Sequence, residues 1–288
     1  MKVTAASLTE MKSKGERIVM VAAYDCPTAK LLDAAGVDSI LVGDSLGNVV
    51  LGLRDTLGVT VEDIIYHLKA VSRGVERALV VGDMPFMSYQ ASEEDAIRNA
   101  GRLVKEGGAE AVKVEGGGAM VSRARAIVES GIPVIGHLGL TPQWYHQFGG
   151  FRVQGKTSST AKRLMDDAIR LERAGASALV LECVPWQLAK LITEKLEIPT
   201  IGIGAGPYCD GQVVVLHDIL GMEDKQLKFV KRYANVSETI SRAISEFRNE
   251  VKSGKFPTIA QSFEMPREEM RKLLAEFRKK GRSGHVRR

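Results

Sequence analysis

Acidic side chains follow several short apolar runs in this 288-residue sequence, at the positions where parallel α/β folds place their active sites. Five carboxylates occupy such positions: Asp25, Asp44, Asp83, Glu115 and Glu182. Carboxylates that converge at one end of a sheet repel one another unless a positive group lies among them. The sequence has no cysteine pair or histidine pair with metal-ligand spacing, so these oxygen donors favour a hard divalent cation such as Mg²⁺. The pattern therefore predicts a metal-assisted reaction.

Two Val-Gly-Asp sequences contain the preferred metal ligands. Asp44 and Asp83 each follow a glycine that would let the chain turn close to the ion. A single aspartate at a strand end more often caps the following helix than binds a metal. That alternative explains five strand ends at once less well, so we favour a shared site.

Lys113 and Glu115 lie two residues apart within one apolar run. If Val112 and Val114 point toward surrounding helices, both polar side chains point into one pocket. Lys113 would then hold a substrate carboxylate or stabilise enolate charge, whereas the structural alternative is an internal salt bridge with Glu115.

Glu182 ends the apolar run Ala178–Leu181, so its carboxylate should be partly desolvated. Such a group suits a general base that acts on a proton acidified by an adjacent carbonyl, and a structural ion pair is the alternative. Three more residues at strand ends are second-tier site candidates: His137, Tyr24 and Asp25. His137 ranks low because a lone histidine is more often a hydrogen-bonded structural residue than a ligand.

Eight short apolar runs, separated by amphipathic stretches, supply the elements that must position these residues. They are Ile18–Ala22, Ser39–Val42, Leu79–Gly82, Ala111–Glu115, Pro133–Gly136, Ala178–Glu182, Thr200–Ile203 and Val213–Leu216. Glycines such as Gly175 stand before the runs and can form the left-handed C-cap of a helix. Eight such repeats predict a (β/α)8 TIM barrel, with an N-terminal plugging helix and extra C-terminal helices. A doubly wound open sheet is the alternative, because periodicity cannot separate the two folds.

Eight motifs run in order between about Leu8 and Pro257. They are VAAYD at 21–25, LVGDSLGNVVLG at 41–52, GDMPFMSY at 82–89, VKVEGG at 112–117, GHLGLTPQ at 136–143, FGGFRVQGK at 148–156, LECVP at 181–185 and IGIGAGPYCDGQ at 201–212. Together they closely resemble the ketopantoate hydroxymethyltransferase family. The resemblance implies a (β/α)8 barrel, assembled as a homodecamer, that transfers a hydroxymethyl group from 5,10-methylenetetrahydrofolate to 3-methyl-2-oxobutanoate. The product, 2-dehydropantoate, leads to pantothenate and coenzyme A.

The same resemblance implies a role for each matching residue. Asp44 and Asp83 match the Mg²⁺ ligands, with one ion per subunit, and Glu115 matches a third carboxylate that acts directly or through water. The residues that match substrate contacts are Ser45 and Lys113, together with the two aspartates. Glu182 matches the proton acceptor, which agrees with the desolvation argument above. No motif indicates the folate pocket, and a modified pterin is an alternative one-carbon donor.

Composition and charge argue against nucleic-acid and membrane partners. The net charge is +5, but the last eleven residues, 278–288, contain six Lys or Arg and no acid, so the rest of the chain carries −1. No run approaches the roughly 18 apolar residues of a membrane helix, and the N-terminus has no signal-peptide pattern. Three scattered cysteines without a CxxC pair indicate a reducing, cytoplasmic setting.

Two other functions each agree with part of this sequence. An enzyme of the phosphoenolpyruvate mutase and isocitrate lyase type would keep the barrel and the metal, but the KKCG-like loop typical of that group is absent from the sequence. A nucleic-acid-binding protein would use the basic tail, yet the sequence lacks aromatic residues interleaved with basic runs.

We expect a barrel domain over residues 1–262 and, over 263–288, a helical extension with a basic tail.

Overall fold

The computed structural model describes residues 1–223 and 227–282. The chain divides into two compact units, Met1–Asn235 and Val236–Arg288. The sequence predicts a domain boundary after residue 262, where the resemblance to the family ends. That boundary stays a prediction. Across the described residues, no helix combines the length and the apolar character that crossing a membrane requires.

Eight parallel strands in the described part of the chain form a closed barrel, in which each strand pairs with its sequence neighbour and β8 pairs with β1. The strands are β1 Ile18–Ala22, β2 Ser39–Val42, β3 Leu79–Asp83, β4 Ala111–Glu115, β5 Val134–Gly139, β6 Ala178–Glu182, β7 Thr200–Ile203 and β8 Gly211–Val215. Most of their residues are apolar because one face fills the barrel and the other packs against helices, and several polar residues lie toward the carboxyl ends. The closed sheet confirms the predicted (β/α)8 barrel and excludes the open doubly wound sheet.

Helices fill most of the connections between the strands. In the first unit they are α1 Ala5–Ser13, α2 Cys26–Ala34, α3 Leu46–Val49, α4 Val61–Ser72, α5 Glu93–Arg102, α6 Met120–Glu129, α7 Tyr145–Phe148, α8 Ser158–Arg173, α9 Trp186–Lys195 and α10 Leu216–Ile219. A π-helical turn, Leu103–Gly107, extends α5, and a 3₁₀ turn, Pro142–Trp144, precedes α7. Residues 204–210 join β7 to β8 without a helix, so the predicted alternation is wrong at this connection.

Helix α1 closes the amino-terminal end of the barrel. Its Leu8 side chain is fully buried. Lys12 Nζ donates to the main-chain oxygens of Leu196, at 2.8 Å, and Ile198, at 3.1 Å, just before β7. The same ammonium lies 3.1 Å from Asp210 Oδ2, just before β8. These contacts bind the helix to the end where the strands begin, and they confirm the predicted plugging helix.

The second unit consists of helical segments beyond the barrel sequence. They are α11 Val236–Lys252, a 3₁₀ turn Ile259–Gln261 and α12 Arg267–Arg282. The extra C-terminal helices expected from the sequence are therefore present. The last part of the expected basic tail, residues 283–288, lies outside the described residues.

Acidic side chains at the amino-terminal end of the barrel accept hydrogen bonds from main-chain N–H groups. Asp33, in the last turn of α2, accepts from three consecutive residues before β3. Its Oδ1 lies 2.7 Å from Ala78 N, and its Oδ2 lies 3.0 Å from Glu76 N. Four other acids accept main-chain N–H donors in the same way: Asp38, Glu110, Glu172 and Asp210. Several N–H groups just before the strands or in their first two residues are thus satisfied by carboxylates.

Replacing Asp33 with alanine should destabilise the fold by about 2 kcal/mol, because three N–H donors lose their shared acceptor. Urea unfolding at pH 7 measures this change in the free energy of unfolding. Asp166→Ala is the matched control, since Asp166 forms only an exposed i,i+4 pair with Lys162 and should change stability by about 0.5 kcal/mol or less. An equal loss in both variants would contradict the proposed role of Asp33.

The effect of Asp33→Ala should also depend on pH. Burial acts to raise the pKa of Asp33, but the N–H donors of Ala78, Glu76 and Arg77 stabilise the ionised form and lower it. A group with a lowered pKa in the folded state stabilises the protein above its unfolded value of about 3.9 and loses that contribution as the pH falls. The difference between wild type and variant should therefore shrink below about pH 4.

Candidate metal centre and active site

A cavity of about 570 Å³ opens at the carboxyl ends of the strands. The sequence-predicted residues that line it are Asp44, Ser45, Asp83, Lys113, Glu115, His137 and Glu182. They come from five consecutive strands, β2 to β6, or from the residues directly after them. The structure therefore brings together four of the five predicted carboxylates with the predicted lysine, histidine and serine.

Strand alternation explains why these side chains converge. Lys113 and Glu115 line the cavity, and Val112 and Val114 between and beside them do not. The glycine of the second Val-Gly-Asp sequence has a different function from the one expected. A Cβ atom on Gly82 would lie 2.9 Å from a methyl carbon of Leu68 and 3.0 Å from one of Leu103. Gly82 thus lets helices pack closely against β3, and the expected turn toward an ion is wrong at this position.

Three buried carboxylates form the centre of the site. Oxygen atoms of Asp44, Asp83 and Glu115 all lie within 4.8 Å of one another. Burial raises the pKa of Asp44, and the charges of Asp83 and Glu115 raise it further. This cost of holding three negative groups together, away from water, is what a bound divalent cation would relieve. The oxygen donors fit a hard cation such as Mg²⁺.

Lys113 lies among these carboxylates. Its Nζ is 2.8 Å from Asp83 Oδ1 and 3.1 Å from Glu115 Oε1. Burial acts to lower the pKa of Lys113, but the neighbouring carboxylates, Asp83 first, raise it above its ordinary value. The internal salt bridge with Glu115, which was the structural alternative for Lys113, is thus present, and the ammonium is held in its charged form at the cavity surface.

His137 lies between the carboxylate centre and Glu182. Its Nδ1 is 3.2 Å from Glu115 Oε1, and its Nε2 is 3.3 Å from Glu182 Oε2. Burial and the charge of Lys113 act to lower the pKa of His137, but Glu115 and Glu182 outweigh them and raise this pKa to about 9. For Glu115, burial acts to raise the pKa, but Lys113 and His137 lower it to about 2. The imidazole therefore lies between Glu115 of the carboxylate centre and Glu182, close to both.

Glu182 is the last residue of β6, and its side chain is 17% exposed. The next residue, Cys183, has a φ of 46°, a left-handed conformation that is uncommon outside glycine. The chain turns sharply there, and the main-chain oxygen of Glu182 accepts from Leu140 N at 2.8 Å. This turn leaves the carboxylate at the cavity surface, partly shielded from water.

Sequence reasoning missed Gln143, which connects two of the three central carboxylates. Its Nε2 donates to Asp44 Oδ2 at 3.1 Å and to Met84 O at 2.9 Å. Its main-chain N–H donates to Glu115 Oε2 at 3.1 Å. The Gln143 Oε1 accepts from the buried Tyr89 hydroxyl at 2.8 Å. Gln143 thus fixes one oxygen of each of these two carboxylates, while the other oxygen of Glu115 faces Lys113 and His137. The only available signal was its place in the motif at 136–143.

Replacing Gln143 with methionine, which has a similar length and no amide, should lower Mg²⁺ affinity about 10- to 100-fold. Calorimetric titration with Mg²⁺ measures this effect without turnover. Gln90→Met is the control, because Gln90 contacts Gln143 Oε1 and neither central carboxylate directly. We expect a change of about threefold or less in that variant. Unchanged affinity in Gln143→Met would mean that the carboxylates are oriented without its side chain.

Tyr24 and Asp25 are adjacent in sequence but lie in different environments. The buried Tyr24 hydroxyl lies 2.8 Å from Ser45 Oγ, and its main-chain oxygen accepts from His67 Nδ1 at 2.7 Å. Asp25 is exposed, and its Oδ1 accepts from Thr28 N at 2.9 Å as the N-cap of α2. Asp25 therefore does not join the carboxylate cluster, and for this residue helix capping is the observed arrangement.

Comparison with known proteins places the chain among close relatives. A family model described as ketopantoate hydroxymethyltransferase matches residues 2–259. The 3-methyl-2-oxobutanoate hydroxymethyltransferase of Moorella thermoacetica is 58% identical over 91% of this chain and 98% of its own length. The enzyme of the same name from Acetivibrio thermocellus is 57% identical over 92% of this chain and 94% of its own length.

Solved structures of other proteins share the fold at much lower identity. A phosphonopyruvate hydrolase in complex with oxalate and Mg²⁺ aligns with a TM-score of 0.59 at 12% identity and covers 99% of both chains. A 2,3-dimethylmalate lyase, named as a member of the phosphoenolpyruvate mutase and isocitrate lyase superfamily, aligns with a TM-score of 0.58 at 17% identity. It covers 99% of this chain and 100% of its own. At this identity the similarity shows the barrel fold alone.

Proposed function

Because this chain belongs to the ketopantoate hydroxymethyltransferase family, we propose that this enzyme transfers a hydroxymethyl group from 5,10-methylenetetrahydrofolate to 3-methyl-2-oxobutanoate. The product is 2-dehydropantoate, on the route to pantothenate and coenzyme A. The observation that carries the proposal is the cavity at the carboxyl ends of the strands, where the carboxylate centre, Lys113 and Glu182 meet. These groups suit a reaction that removes a proton next to a carbonyl.

Asp44, Asp83 and Glu115 would hold one Mg²⁺ per subunit, directly or through water. When bound, the ion supplies Lewis-acid polarisation of the keto group, which makes the neighbouring C–H bond acidic enough for a carboxylate to attack. Lys113 lies beside the same carboxylates and would bind the substrate carboxylate as a fixed positive charge. Ser45 would donate a hydrogen bond to the same group, since its Oγ lies at the cavity surface beside the Tyr24 hydroxyl.

Glu182 would accept the proton from C3 of the 2-oxo acid. His137, with Nε2 3.3 Å from Glu182 Oε2, would hold the carboxylate in place for this transfer. The carbanion at C3 would then form a bond to the methylene carbon of the folate as one of the two bonds from that carbon to folate nitrogens breaks, and the freed nitrogen would take up the proton that Glu182 accepted. Cleavage of the remaining bond between that carbon and the folate nitrogen, with a hydroxyl group supplied by water, releases 2-dehydropantoate and tetrahydrofolate. Partial burial of the site limits access of other water molecules.

An enzyme of the phosphoenolpyruvate mutase and isocitrate lyase type is the less favoured alternative. Its representatives share the barrel at 12 to 17% identity, which carries no information about the reaction. The family match, by contrast, extends over residues 2–259 and so includes every proposed site residue. Membership of this family favours hydroxymethyl transfer.

Proton NMR of 3-methyl-2-oxobutanoate in D₂O tests the proposal in two steps. With protein and Mg²⁺, the C3 proton signal should disappear, and EDTA should prevent this loss. Addition of 5,10-methylenetetrahydrofolate should then produce 2-dehydropantoate. Exchange without product would refute the folate donor and favour a modified pterin, whereas no exchange under any condition would refute the proposed proton removal.

We also propose a cytoplasmic setting and a homodecamer. The first is supported by three cysteines that are all free thiols in the structure, and the second by the family resemblance. Light scattering on the purified protein would measure a mass ten times that of the 31.3 kDa chain if the assembly is a decamer. The absence of a nucleic-acid partner stays a prediction, which polynucleotide retention of the chain with and without residues 282–288 would test.

A further inference from the structure

The groups that would act on the 2-oxo acid occupy only one side of the cavity, the side formed by β2 to β6. The other side, formed by β7, β8 and β1, is apolar in the described residues. Its side chains are Ala22, Ile203, Val213, Val214 and Val215. No group on this side of the barrel is used by the chemistry proposed above. A second substrate has room there, next to the carboxylate centre.

Two acidic residues that follow β8, Asp218 and Glu223, also line the cavity. Asp218, in α10 directly after β8, lines the cavity with a side chain that is about half buried. Within residues 1–223 and 227–282, its carboxylate has no hydrogen-bond donor and no ion-pair partner. Burial raises the pKa of Asp218, the charge of Glu223 raises it further, and Arg232 acts to lower it. A carboxylate that meets no hydrogen-bond donor among the described residues can accept one from a ligand in the cavity.

Asp218 lies within electrostatic reach of the metal-binding carboxylates. Burial raises the pKa of the Tyr24 phenol, and the charges of Asp44, Asp218 and Asp83 all raise it further. Tyr24 therefore lies near both Asp218 and the metal-binding carboxylates. A ligand held by Asp218 would lie beside a 2-oxo acid held at the carboxylate centre.

We propose that Asp218 and the apolar side of the cavity bind the pterin ring of the one-carbon donor. This inference rests on the proposed function, in which that donor is a folate. A reduced pterin has apolar faces and presents two parallel donors at one edge, the N3–H and the 2-amino group. Two parallel N–H donors match the two oxygens of a carboxylate, as an arginine fork does. The ring faces would pack on the valine and isoleucine side chains of β7 and β8.

The charge of Asp218 also separates the two substrates. The 2-oxo acid is an anion, so the carboxylates of Asp218 and Glu223 repel it from this side of the cavity. The neutral pterin edge, which offers only donors to the carboxylate, is favoured in the same place. Each substrate is therefore directed to its own half of the cavity, and the methylene carbon would approach C3 from the side of β7, β8 and β1.

Replacing Asp218 with alanine tests the inference through binding as well as turnover. The Kd of tetrahydrofolate, measured by calorimetry, should rise at least about tenfold, because two charge-assisted hydrogen bonds are lost. Metal-dependent exchange of the C3 proton, which needs no folate, should stay within about twofold of wild type. Glu223→Gln is the matched control: it removes another negative charge from the cavity lining, and its Kd for tetrahydrofolate should change about threefold or less.

A modified ligand identifies the contact itself. Tetrahydrofolate with a methyl group in place of the 2-amino group should bind wild type at least about tenfold more weakly than tetrahydrofolate does. It should bind Asp218→Ala with nearly the same Kd as tetrahydrofolate, since the partner of the amino group is already absent. An equal loss in both proteins would overturn the contact between Asp218 and the pterin edge.

The remaining outcomes separate the inference from the proposed function. If wild type exchanges the C3 proton and uses the folate, but Asp218→Ala keeps the wild-type Kd for tetrahydrofolate, the pterin site is refuted and the proposed function stands. If Glu223→Gln weakens tetrahydrofolate as much as Asp218→Ala, the effect belongs to the overall charge of the cavity and the inference fails. If wild type neither binds nor uses the folate, the donor assignment fails, and the inference fails with it.

Discussion

Glu182→Gln is expected to slow exchange of the C3 proton of 3-methyl-2-oxobutanoate by about 10²- to 10⁴-fold, the usual contribution of a general base. The amide has the shape of the carboxylate but cannot accept the proton at neutral pH. It retains an oxygen that can face His137 Nε2, now 3.3 Å from the carboxylate, so the surroundings should be preserved. Proton NMR in D₂O with Mg²⁺ measures the exchange rate directly.

The same variant should bind both Mg²⁺ and the 2-oxo acid with nearly unchanged affinity. Calorimetric titrations with the two ligands therefore show whether slower exchange comes from the missing proton acceptor or from weaker ligand binding. Glu223→Gln serves as the matched control, because it makes the same chemical change at another glutamate of the cavity lining, and its exchange rate should stay within about twofold. Exchange at the wild-type rate in Glu182→Gln would rule out Glu182 as the proton acceptor.

The barrel could be predicted because its strands and helix ends leave local signals. In β6, the residues Ala178–Leu181 are all apolar, and Gly175 before them has a φ of 92°, as expected for a left-handed helix C-cap. Such signals depend on neighbours in sequence. The connection from β7 to β8 lacks a helix, and its sequence agrees with this, because the seven residues 204–210 include two glycines and a proline, which disfavour a helix.

The candidate site could be predicted where strand geometry alone decides the direction of a side chain. Lys113 and Glu115 share a face because side chains alternate along β4. Asp25 and Gln143 lie beyond strand ends, where one or two backbone dihedrals decide the direction. Asp25 turns outward to cap α2, and Gln143 turns inward to contact Asp44, a residue 99 positions away in sequence. The spacing of neighbouring residues predicts neither of these side-chain directions.

Asp44→Asn and Asp83→Asn should each reduce Mg²⁺ affinity by about 100-fold or more, because a charged oxygen donor becomes a neutral amide. Asparagine preserves the size of the side chain. At position 83 it also keeps an oxygen that can accept from Asp44 N, now 3.0 Å from Asp83 Oδ2. Both variants should therefore fold, and calorimetric titration with Mg²⁺ reports the loss. Binding of the 2-oxo acid should lose its dependence on Mg²⁺ at the same time.

Thermal unfolding gives a readout of metal binding that is independent of any substrate. A ligand that binds only the folded state raises the Tm in proportion to RT ln(1 + [L]/Kd), so added Mg²⁺ should stabilise wild type and have little effect on either variant. Asp25→Asn is the matched control, since Asp25 is also an aspartate that follows a strand but caps α2 instead. It should keep nearly the same stability, because Asn and Asp are about equally good N-cap residues, and keep the full Mg²⁺ response. A full Mg²⁺ response in both Asp44→Asn and Asp83→Asn would refute the ligand assignment, because the three buried carboxylates would then come together without a cation to hold.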